Sequence, residues 1–167
     1  MVHPMTDTTH PFFYREVGVE EIDAVRPLWE QLNAHHLLLS RHFGDEMGQR
    51  TFEPRKQQLL AKAGTGKLKI DLAGPTTTGS FIAYCISSLC AGGNGEIDSI
   101  FVEEHFRGRG IGAGLVRRAL EWLDDLGATS KTVVVAYPNE EAVAFYSRFG
   151  FLPCNLSLRQ RQASSAS

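Results

Sequence analysis

Apolar and polar positions along the chain change period several times, and each change predicts where one element ends and another begins. Residues 67–72 alternate polar and apolar side chains, as a half-buried strand does. Apolar, β-branched or aromatic runs predict further strands at 12–17, 80–89, 96–102, 132–136 and 151–158. Apolar residues at helical spacing predict helices at 20–39, 54–63, 110–126 and 140–149, and polar residues 41–51 predict a loop.

Two local signals refine these elements. Pro27 is expected to kink or split the first helix, because proline lacks the backbone N–H that a helix interior needs. The Asn94-Gly95 pair, preceded by two glycines, predicts a tight hairpin, because asparagine and glycine accept the positive φ of such a turn. The element order is then β-α-α-β-β-β-α-β-α-β. Antiparallel strands followed by a parallel crossover predict the α/β (α+β) class, with one mixed, mostly antiparallel sheet and helices on both faces.

Length and composition predict one globular domain. The chain has 167 residues, 43% of them hydrophobic, which is enough to bury a core. We expect a single domain over residues 1–167, with an ordered core at about 12–158 and flexible ends at 1–10 and 160–167. The formal net charge of −2 argues against a general nucleic-acid binder. Arginines 107, 109, 117 and 118 cluster locally, and such a cluster suits a phosphorylated small ligand.

Cysteine and histidine spacing argues against a disulfide framework and against a metal site. The three cysteines are odd in number and lack a C-x-x-C pair, and the six histidines show no metal-ligand spacing. Free thiols are ordinary in a reducing cytosol.

The first ten residues hold no apolar signal segment, and no apolar run reaches the roughly 18 residues of a membrane span. We therefore expect a cytoplasmic protein that contacts neither membrane nor nucleic acid.

The most informative segment runs from Val102 to Gly114, where a strand ends and glycines and arginines open a helix. Glycines let successive N–H groups turn toward one point, and the helix N-terminus adds partial positive charge there. This pattern predicts a phosphate or pyrophosphate site. Gly108-x-Gly110-x-x-Ala113 also fits a dinucleotide-binding fingerprint, but too little chain follows for the strand-helix repeats which that fold needs. The G-K-[ST] of a P-loop is absent.

At these residues the chain resembles the GNAT superfamily of N-acetyltransferases. The matching motif is Arg107-x-x-Gly110-x-Gly112, which follows the strand 97–102. The resemblance continues through residues 133–136, Asn139 and 145–151, and it covers about 95–158 clearly. The N-terminal half matches in the order of elements alone.

The resemblance implies a splayed V between the fourth and fifth strands, 96–102 and 132–136. Acetyl-CoA would be a co-substrate in that V, without any metal, and a homodimer is common in the superfamily. Pantetheine would bond to the main chain of the fourth strand, and the pyrophosphate would lie on the amides at the helix start. The implied cofactor-binding residues are Ile100, Phe101, Val102, Arg107, Gly108, Arg109, Gly110, Ile111, Gly112, Ala113, Asn139 and Tyr146.

Two carboxylates are candidates for the base that takes a proton from the acceptor amine. Period-two alternation predicts that Glu96 and Asp98 share one strand face with Ile100 and Val102. An amine with a pKa of about 10.4 is protonated at pH 7 and must lose a proton before it attacks a thioester. The resemblance implies a catalytic carboxylate at Asp98 or Glu96. Asp98 is one methylene shorter than the glutamate of the superfamily, so a bridging water is expected. A solvated strand end would explain both acids equally well.

Tyr146 and Asn139 are further candidates near the C-terminus. The resemblance implies that Tyr146 donates a proton to the departing thiolate, whereas a half-buried helical tyrosine is the plain alternative. Asn139 precedes Glu140 and Glu141, and it would make a good helix N-cap as well as a contact for pantetheine. His35, His36 and His42 fall where the superfamily builds its acceptor pocket, although each could equally be a surface or packing residue.

The expected function is direct transfer of the acetyl group from acetyl-CoA to the primary amine of a small molecule. No motif positions a Cys, Ser or His as a nucleophile, so an acetyl-enzyme is not expected. Three alternatives stay open: acetylation of a protein N-terminus or lysine, a non-catalytic acyl-CoA sensor, and a dinucleotide binder. A deep acidic pocket would favour a polyamine-like acceptor, and an open groove would favour a peptide.

Overall fold

The computed structural model describes residues 10–161, which form five strands, five α-helices and two 3₁₀ helices. The strands are β1 (Phe12–Val17), β2 (Lys67–Pro75), β3 (Ala83–Leu89), β4 (Asn94–Val102) and β5 (Ser130–Val133). The α-helices are α1 (Arg26–Leu39), α2 (Gly44–Gly48), α3 (Phe52–Thr65), α4 (Ile111–Asp125) and α5 (Glu140–Ser147), and the 3₁₀ helices are Val19–Val25 and Glu104–Phe106. The ends predicted to be flexible lie outside the described residues, apart from residues 10, 160 and 161.

The five strands form one sheet in the order β1-β2-β3-β4-β5. The first four strands are antiparallel neighbours, and β5 runs parallel to β4. This confirms the predicted α/β (α+β) class with a mixed, mostly antiparallel sheet. The crossover between β4 and β5 passes through α4, as a parallel pair requires.

Helices cover both faces of the sheet, and each face has its own hydrophobic core. On one face α1 and α3 bury Trp29, Phe52 and Leu59 against Ile70 and Tyr84 of the sheet. On the other face α4 and α5 bury side chains that include Ile111, Leu115, Ala119 and Tyr146 against Ile97 and Ala83. The buried positions of α4 are three or four residues apart, which is the period that predicted this helix.

The predicted sixth strand at 151–158 is wrong, and the fifth strand is shorter than predicted. Residues 151–158 form no strand, and the alternating side chains Leu152, Leu156 and Leu158 are exposed. Pro153 has no N–H to give to a ladder, and within residues 10–161 no strand pairs with this segment. β5 ends at Val133 rather than at 136, because it diverges from β4 there.

The β3–β4 turn forms where predicted, but a different residue carries its unusual backbone. Gly93 has φ of +85°, whereas Asn94 and Gly95 already belong to β4, and no non-glycine residue in 10–161 has positive φ. The predicted positive φ at Asn94 is therefore wrong. Gly95 is needed for packing instead, since a Cβ there would lie 2.8 Å from Leu123 Cδ2.

Pro27 splits the first helical segment as predicted. The chain forms a 3₁₀ helix up to Val25, and α1 then starts with Pro27 in its first turn. A proline fits there because the first N–H groups of a helix have no intrahelical partner. The predicted loop 41–51 contains the short helix α2.

Candidate active site

A fork between β4 and β5 opens a cavity on one edge of the sheet. The two strands pair over Asn94–Ile97 and Ser130–Val133, while β4 continues to Val102 without a partner on that side. A cavity of about 470 Å³ lies in the fork. Its walls come from β4, the start of α4, residues 133–136, α5 and one turn of α1. This is the V that the sequence predicted between the fourth and fifth strands.

Most of the predicted site residues line this cavity. Those in its wall are Asp98, Ile100, Phe101, Val102, Arg107, Gly108, Gly110, Ile111, Gly112, Ala113, Asn139 and Tyr146. Glu96 and Arg109 do not line it. The structure thus brings residues from three separated segments to one place, as a single site would require.

The N-terminus of α4 enters the cavity with its first-turn amides uncapped by any side chain. Gly108 and Gly110 have φ of +74° and +81°, and Gly110 is the N-cap residue, which has no side-chain acceptor to offer. The N–H groups of Ile111, Gly112 and Ala113 have no partner within the helix, so they can bind an anion. A Cβ on Gly112 would lie 3.4 Å from Phe145 Cζ and 3.6 Å from Val102 Cγ2, within the fork. A Cβ alone would therefore fit in ordinary contact, but a larger side chain at this position would extend into the space between Phe145 and Val102.

The two arginines of the motif differ in position. Arg107 Nε donates a hydrogen bond of 2.9 Å to the Val102 carbonyl, and its guanidinium lies over the Phe101 ring at 5.4 Å. Arg109 instead lies over the Phe106 ring at 5.5 Å, outside the cavity wall. Of these two arginines, Arg107 is the one that adds full positive charge to the cavity wall.

A β-bulge in β4 overturns the prediction that Glu96, Asp98, Ile100 and Val102 share one face. Ile97 pairs with Ser87 and Ser99 pairs with Ile86, so Asp98 is an extra residue without a partner on β3. The alternation shifts there. Ile100 and Val102 face the α4 core, whereas Glu96 and Asp98 turn toward α3.

Lys62 of α3 joins the two predicted bases, and the sequence interpretation missed it. Its ammonium donates hydrogen bonds to Glu96 Oε2 at 2.6 Å and to Asp98 Oδ1. The Asp98 side chain is 0% exposed, so the part of this residue that reaches the cavity is its main chain. No local signal could have identified Lys62, because it lies 36 residues before Asp98 in the chain.

Tyr146 lies at the inner end of the cavity and is 6% exposed. Its ring packs edge-on against Phe145 and Phe151 at centroid distances of 5.2 and 5.7 Å. Burial raises the pKa of Tyr146, and the neighbouring Cys85 and Tyr84 raise it further. The hydroxyl is therefore protonated at neutral pH and can donate a hydrogen bond, although the raised pKa also makes it a weaker acid.

Asn139 caps α5, as one of its two predicted roles requires. Its Oδ1 accepts a hydrogen bond of 3.0 Å from the Ala142 amide, and the residue also lines the cavity. Glu140 and Glu141 occupy the first turn, where their charges complement the helix dipole. The cap fixes α5 against the fork, and with it the position of Tyr146.

Two histidines of α1 form the opposite wall of the cavity together with Leu32. His35 and His36 line the cavity, whereas His42 does not. Burial lowers the pKa of His36, and the positive charges of His35 and Arg50 lower it further. His36 is consequently neutral at pH 7.

Comparison with known proteins identifies the family. The model of the acetyltransferase (GNAT) family matches residues 26–151, which is most of the chain. The chain belongs to this family, and the resemblance in its sequence is thereby confirmed.

The similar proteins share the fold and parts of the sequence. An uncharacterized N-acetyltransferase of Methanocaldococcus jannaschii is 43% identical over 56 residues, which are 34% of this chain and 25% of that protein. A mutant of the BH1408 protein of Bacillus halodurans superposes with a TM-score of 0.68 at 20% identity, over 90% of this chain and 99% of that chain. Aminoglycoside N-acetyltransferase AAC(6')-Iy in complex with CoA gives 0.62 at 16% identity, over 91% and 100% of the two chains.

Two observations concern other classes of protein. Among residues 10–161, no group of three or more His, Cys, Asp or Glu side chains could hold a metal ion. No helix in the described part of the chain is long and apolar enough to cross a membrane.

Proposed function

We propose that the chain is an N-acetyltransferase that transfers the acetyl group of acetyl-CoA directly to a primary amine. One observation carries the proposal: the uncapped N-terminus of α4 and the unpaired edge of β4 open into the same cavity. The first can bind a pyrophosphate, and the second can pair with an amide-containing arm, so together they match the two parts of coenzyme A. The names of similar proteins, which are N-acetyltransferases, support the same activity.

The coenzyme would be held mainly by main-chain groups. The amides of residues 109–113 would bind the pyrophosphate, with Arg107 adding charge from within the cavity. The main chain of Ile100, Phe101 and Val102 would pair with pantetheine, because it has no strand partner on the side of β5. Asn139 would contact the same arm from α5.

The proton of the acceptor amine would pass to Asp98. The amine nitrogen attacks the thioester carbonyl only after losing this proton, since its protonated form has no lone pair. The carboxylate of Asp98 is 0% exposed, so a water molecule would carry the proton across the wall, as the short side chain predicts. Glu96 lies outside the cavity, and we assign it no direct contact with the amine.

Tyr146 would protonate the departing thiolate. As the new C–N bond forms, the C–S bond breaks and the sulfur gains negative charge in a site with little water. Tyr146 lines the cavity and is protonated, so it can give a hydrogen bond to that sulfur. Because its pKa is raised, the proton would transfer only as the C–S bond breaks and the sulfur becomes strongly basic in the dry site. The tyrosine then recovers its proton from solvent, and the products are free coenzyme A and the amide.

An acetyl-enzyme does not fit the nucleophiles present. Burial raises the pKa of the Cys85 thiol to about 12, and Cys85 does not line the cavity. Ser99 does line it, but its hydroxyl is hydrogen-bonded to the buried Tyr84 hydroxyl at 2.6 Å. Because neither Cys85 nor Ser99 is suited to attack the thioester, the described residues support direct transfer to the amine.

The acceptor would be a small primary amine rather than a polycation. Coenzyme A would fill part of the cavity of about 470 Å³, so the space left for the acceptor suits a small molecule. The only acidic residues in its wall are Asp98, whose carboxylate is paired with Lys62, and Glu141 at the start of α5. The acceptor side instead presents Leu32, His35 and the neutral His36. Apart from Glu141, the described part of this wall has no exposed carboxylate that could bind the further charges of a polyamine.

We further propose a homodimer in the cytoplasm. β5 is an edge strand, Val134 just after it is exposed, and the C-terminal segment exposes Leu152 and Leu158 as well. An apolar edge of this kind favours pairing with a second copy. Cys90 and Cys154 are exposed free thiols, which suits a reducing compartment. Sedimentation equilibrium at micromolar concentration tests the dimer, and a mass of 18.5 kDa would contradict it.

The activity is tested by measuring release of the coenzyme A thiol with monoamines, polyamines, aminoglycosides and peptides. We expect release that depends on the amine, with small monoamines ahead of polyamines. Binding of acetyl-CoA without release against any amine would instead make the protein an acyl-CoA sensor. Release with peptides alone would move the acceptor to proteins.

A further inference from the structure

Helix α3 places two cations, one heptad apart, on a single residue of β4. Arg55 Nη2 donates a hydrogen bond of 2.8 Å to the main-chain carbonyl of Asp98. Lys62 Nζ donates to the carboxylate of the same residue, and also to Glu96 at 2.6 Å. Asp98 is the bulge residue of β4, so both cations hold the one point where the strand leaves regular pairing. We call Arg55 and Lys62 the α3 clamp.

Burial makes Lys62 indispensable to the carboxylate it binds. The side chain of Asp98 is 0% exposed, whereas those of Lys62 and Glu96 are 36% and 32% exposed. Within residues 10–161, Lys62 is the cation that forms an ion pair with Asp98, and Asp98 Oδ2 has no hydrogen-bond partner. A buried carboxylate needs a polar or charged partner, because burial removes most of its contact with water.

Lys62 keeps its positive charge in this position. Burial alone would lower the pKa of Lys62, but the hydrogen bonds to Asp98 and Glu96 outweigh it and raise the pKa above its ordinary value. Lys62 is therefore charged throughout the neutral range. The Lys62 side chain is partly exposed to solvent and does not line the cavity.

We propose that Lys62 is a positioning residue for acetyl transfer, which holds the Asp98 carboxylate in place and fixes the β4 bulge through which the main chain of Asp98 reaches the cavity. Lys62 acts through Asp98 and touches neither substrate. Arg55 assists by holding the carbonyl of the same residue, so the main chain of β4 keeps its direction at the fork. The inference rests on the proposed function for its effect on turnover, but not for its effect on the strand.

The test compares Lys62→Met with Lys62→Arg and with the control Lys56→Met. Lys56 is on the same helix and pairs with the exposed Asp23 at 2.7 Å, so the control removes an ion pair that does not involve β4. We expect Lys62→Met to lower kcat roughly 10²-fold through misplacement of the base, with the KM for acetyl-CoA unchanged. Lys62→Arg should keep most of the wild-type kcat, and Lys56→Met should have the kcat of the wild type. Equal kcat in Lys62→Met and Lys56→Met would overturn the proposal.

A double-mutant cycle separates positioning from general support of the fold. If Lys62 acts through Asp98, Lys62→Met should cost no further activity in the Asp98→Asn background. Additive losses would mean that Lys62 contributes elsewhere, and would contradict the inference. Thermal melting checks that each variant is folded, and Lys62→Gln replaces Lys62→Met if the latter is not.

Hydrogen exchange gives a readout without turnover. The amides of residues 97–100 should exchange faster in Lys62→Met than in Lys56→Met, because the bulge loses its anchor. Unchanged exchange would contradict the clamp. If the wild-type protein acetylates no amine but exchange responds as expected, the proposed function fails while the clamp stands.

Discussion

The two faces of the sheet hold the two halves of the proposed site in different ways. On the α4 face, the coenzyme half consists of main-chain amides and glycines within residues 108–113. The acid-base half depends on side chains that come together from distant segments: on the α3 face Lys62 and Arg55 contact Asp98, and Tyr146 belongs to α5. The fork of β4 and β5 joins the halves, because its wall takes residues from both.

This difference predicts how each half should respond to mutation. A main-chain site cannot lose its donors by substitution, so it is sensitive to added bulk rather than to removed polar groups. A side-chain site loses its function when one charge is removed, because the remaining partners stay buried and uncompensated. The predictions below run from the largest expected effect to the smallest.

Tyr146→Phe should lower kcat by roughly 10²–10⁴-fold, because it removes the proton donor and keeps the ring packing on Phe145 and Phe151. Acetyl-CoA binding should change little. Steady-state kinetics with two thioesters checks the role. An acetyl thioester of a more acidic thiol needs less protonation and should partly rescue the variant. The same deficit with both thioesters would show that Tyr146 does not act as the acid.

Asp98→Asn should lower kcat/KM by roughly 10²–10⁴-fold near neutral pH. The deficit should shrink as pH approaches the amine pKa of about 10.4, because the amine is then already neutral. Glu96→Gln is the matched variant, since Glu96 shares Lys62 but lies outside the cavity, and it should cost less. Normal activity at pH 7 in the double variant would remove both carboxylates from the mechanism.

Gly114→Ala and Gly64→Ala place the same methyl group on a helix of each face. A Cβ on Gly114 would lie 2.3 Å from the Tyr14 hydroxyl oxygen, so overpacking should destabilise the protein by about 1–3 kcal/mol. A Cβ on Gly64 has no atom within 4 Å, and alanine there should stabilise α3 by about 0.5–1 kcal/mol. Urea unfolding measures both. Equal effects of the two substitutions would contradict the close approach of α4 to β1.

His36 should make stability depend weakly on pH. Its pKa is lowered in the folded protein by burial and by the charges of His35 and Arg50. The unfolded chain therefore takes up this proton first, and stability should fall as pH drops below about 6.5. Denaturant midpoints between pH 7.5 and 5.5, compared with those of His36→Gln, measure the effect. A wild-type midpoint that falls no more than that of the variant would show that His36 is solvated as in the unfolded chain.

The coenzyme half could be predicted from the sequence because its signals are local. Two arginines and four glycines between Arg107 and Gly114 specify a turn and a helix start, and both form where predicted. The fold class followed from the same kind of signal, since the period of apolar positions shows which elements form. The sixth strand failed because apolar alternation at 151–158 says nothing about a partner strand.

The acid-base half could be predicted only in part. The sequence predicts Asp98 and Glu96 as candidate bases. The bulge that turns them away from Ile100 depends on pairing with β3, which the alternation of polar and apolar residues does not show. Lys62 and Arg55 lie on a helix whose pattern predicts a charged surface, and only the packing of α3 on β4 shows where they point. Side-chain sites of this kind follow from tertiary contacts.

The most direct test of the account is a calorimetric titration of acetyl-CoA into the wild-type protein, Asp98→Asn and Gly112→Val. A valine on Gly112 would project toward Phe145 and Val102 and fill the fork, whereas Asp98→Asn leaves the helix start intact. The account predicts equal affinity for the wild type and Asp98→Asn, and no detectable binding by Gly112→Val. Binding by Gly112→Val as tight as that of the wild type would contradict it.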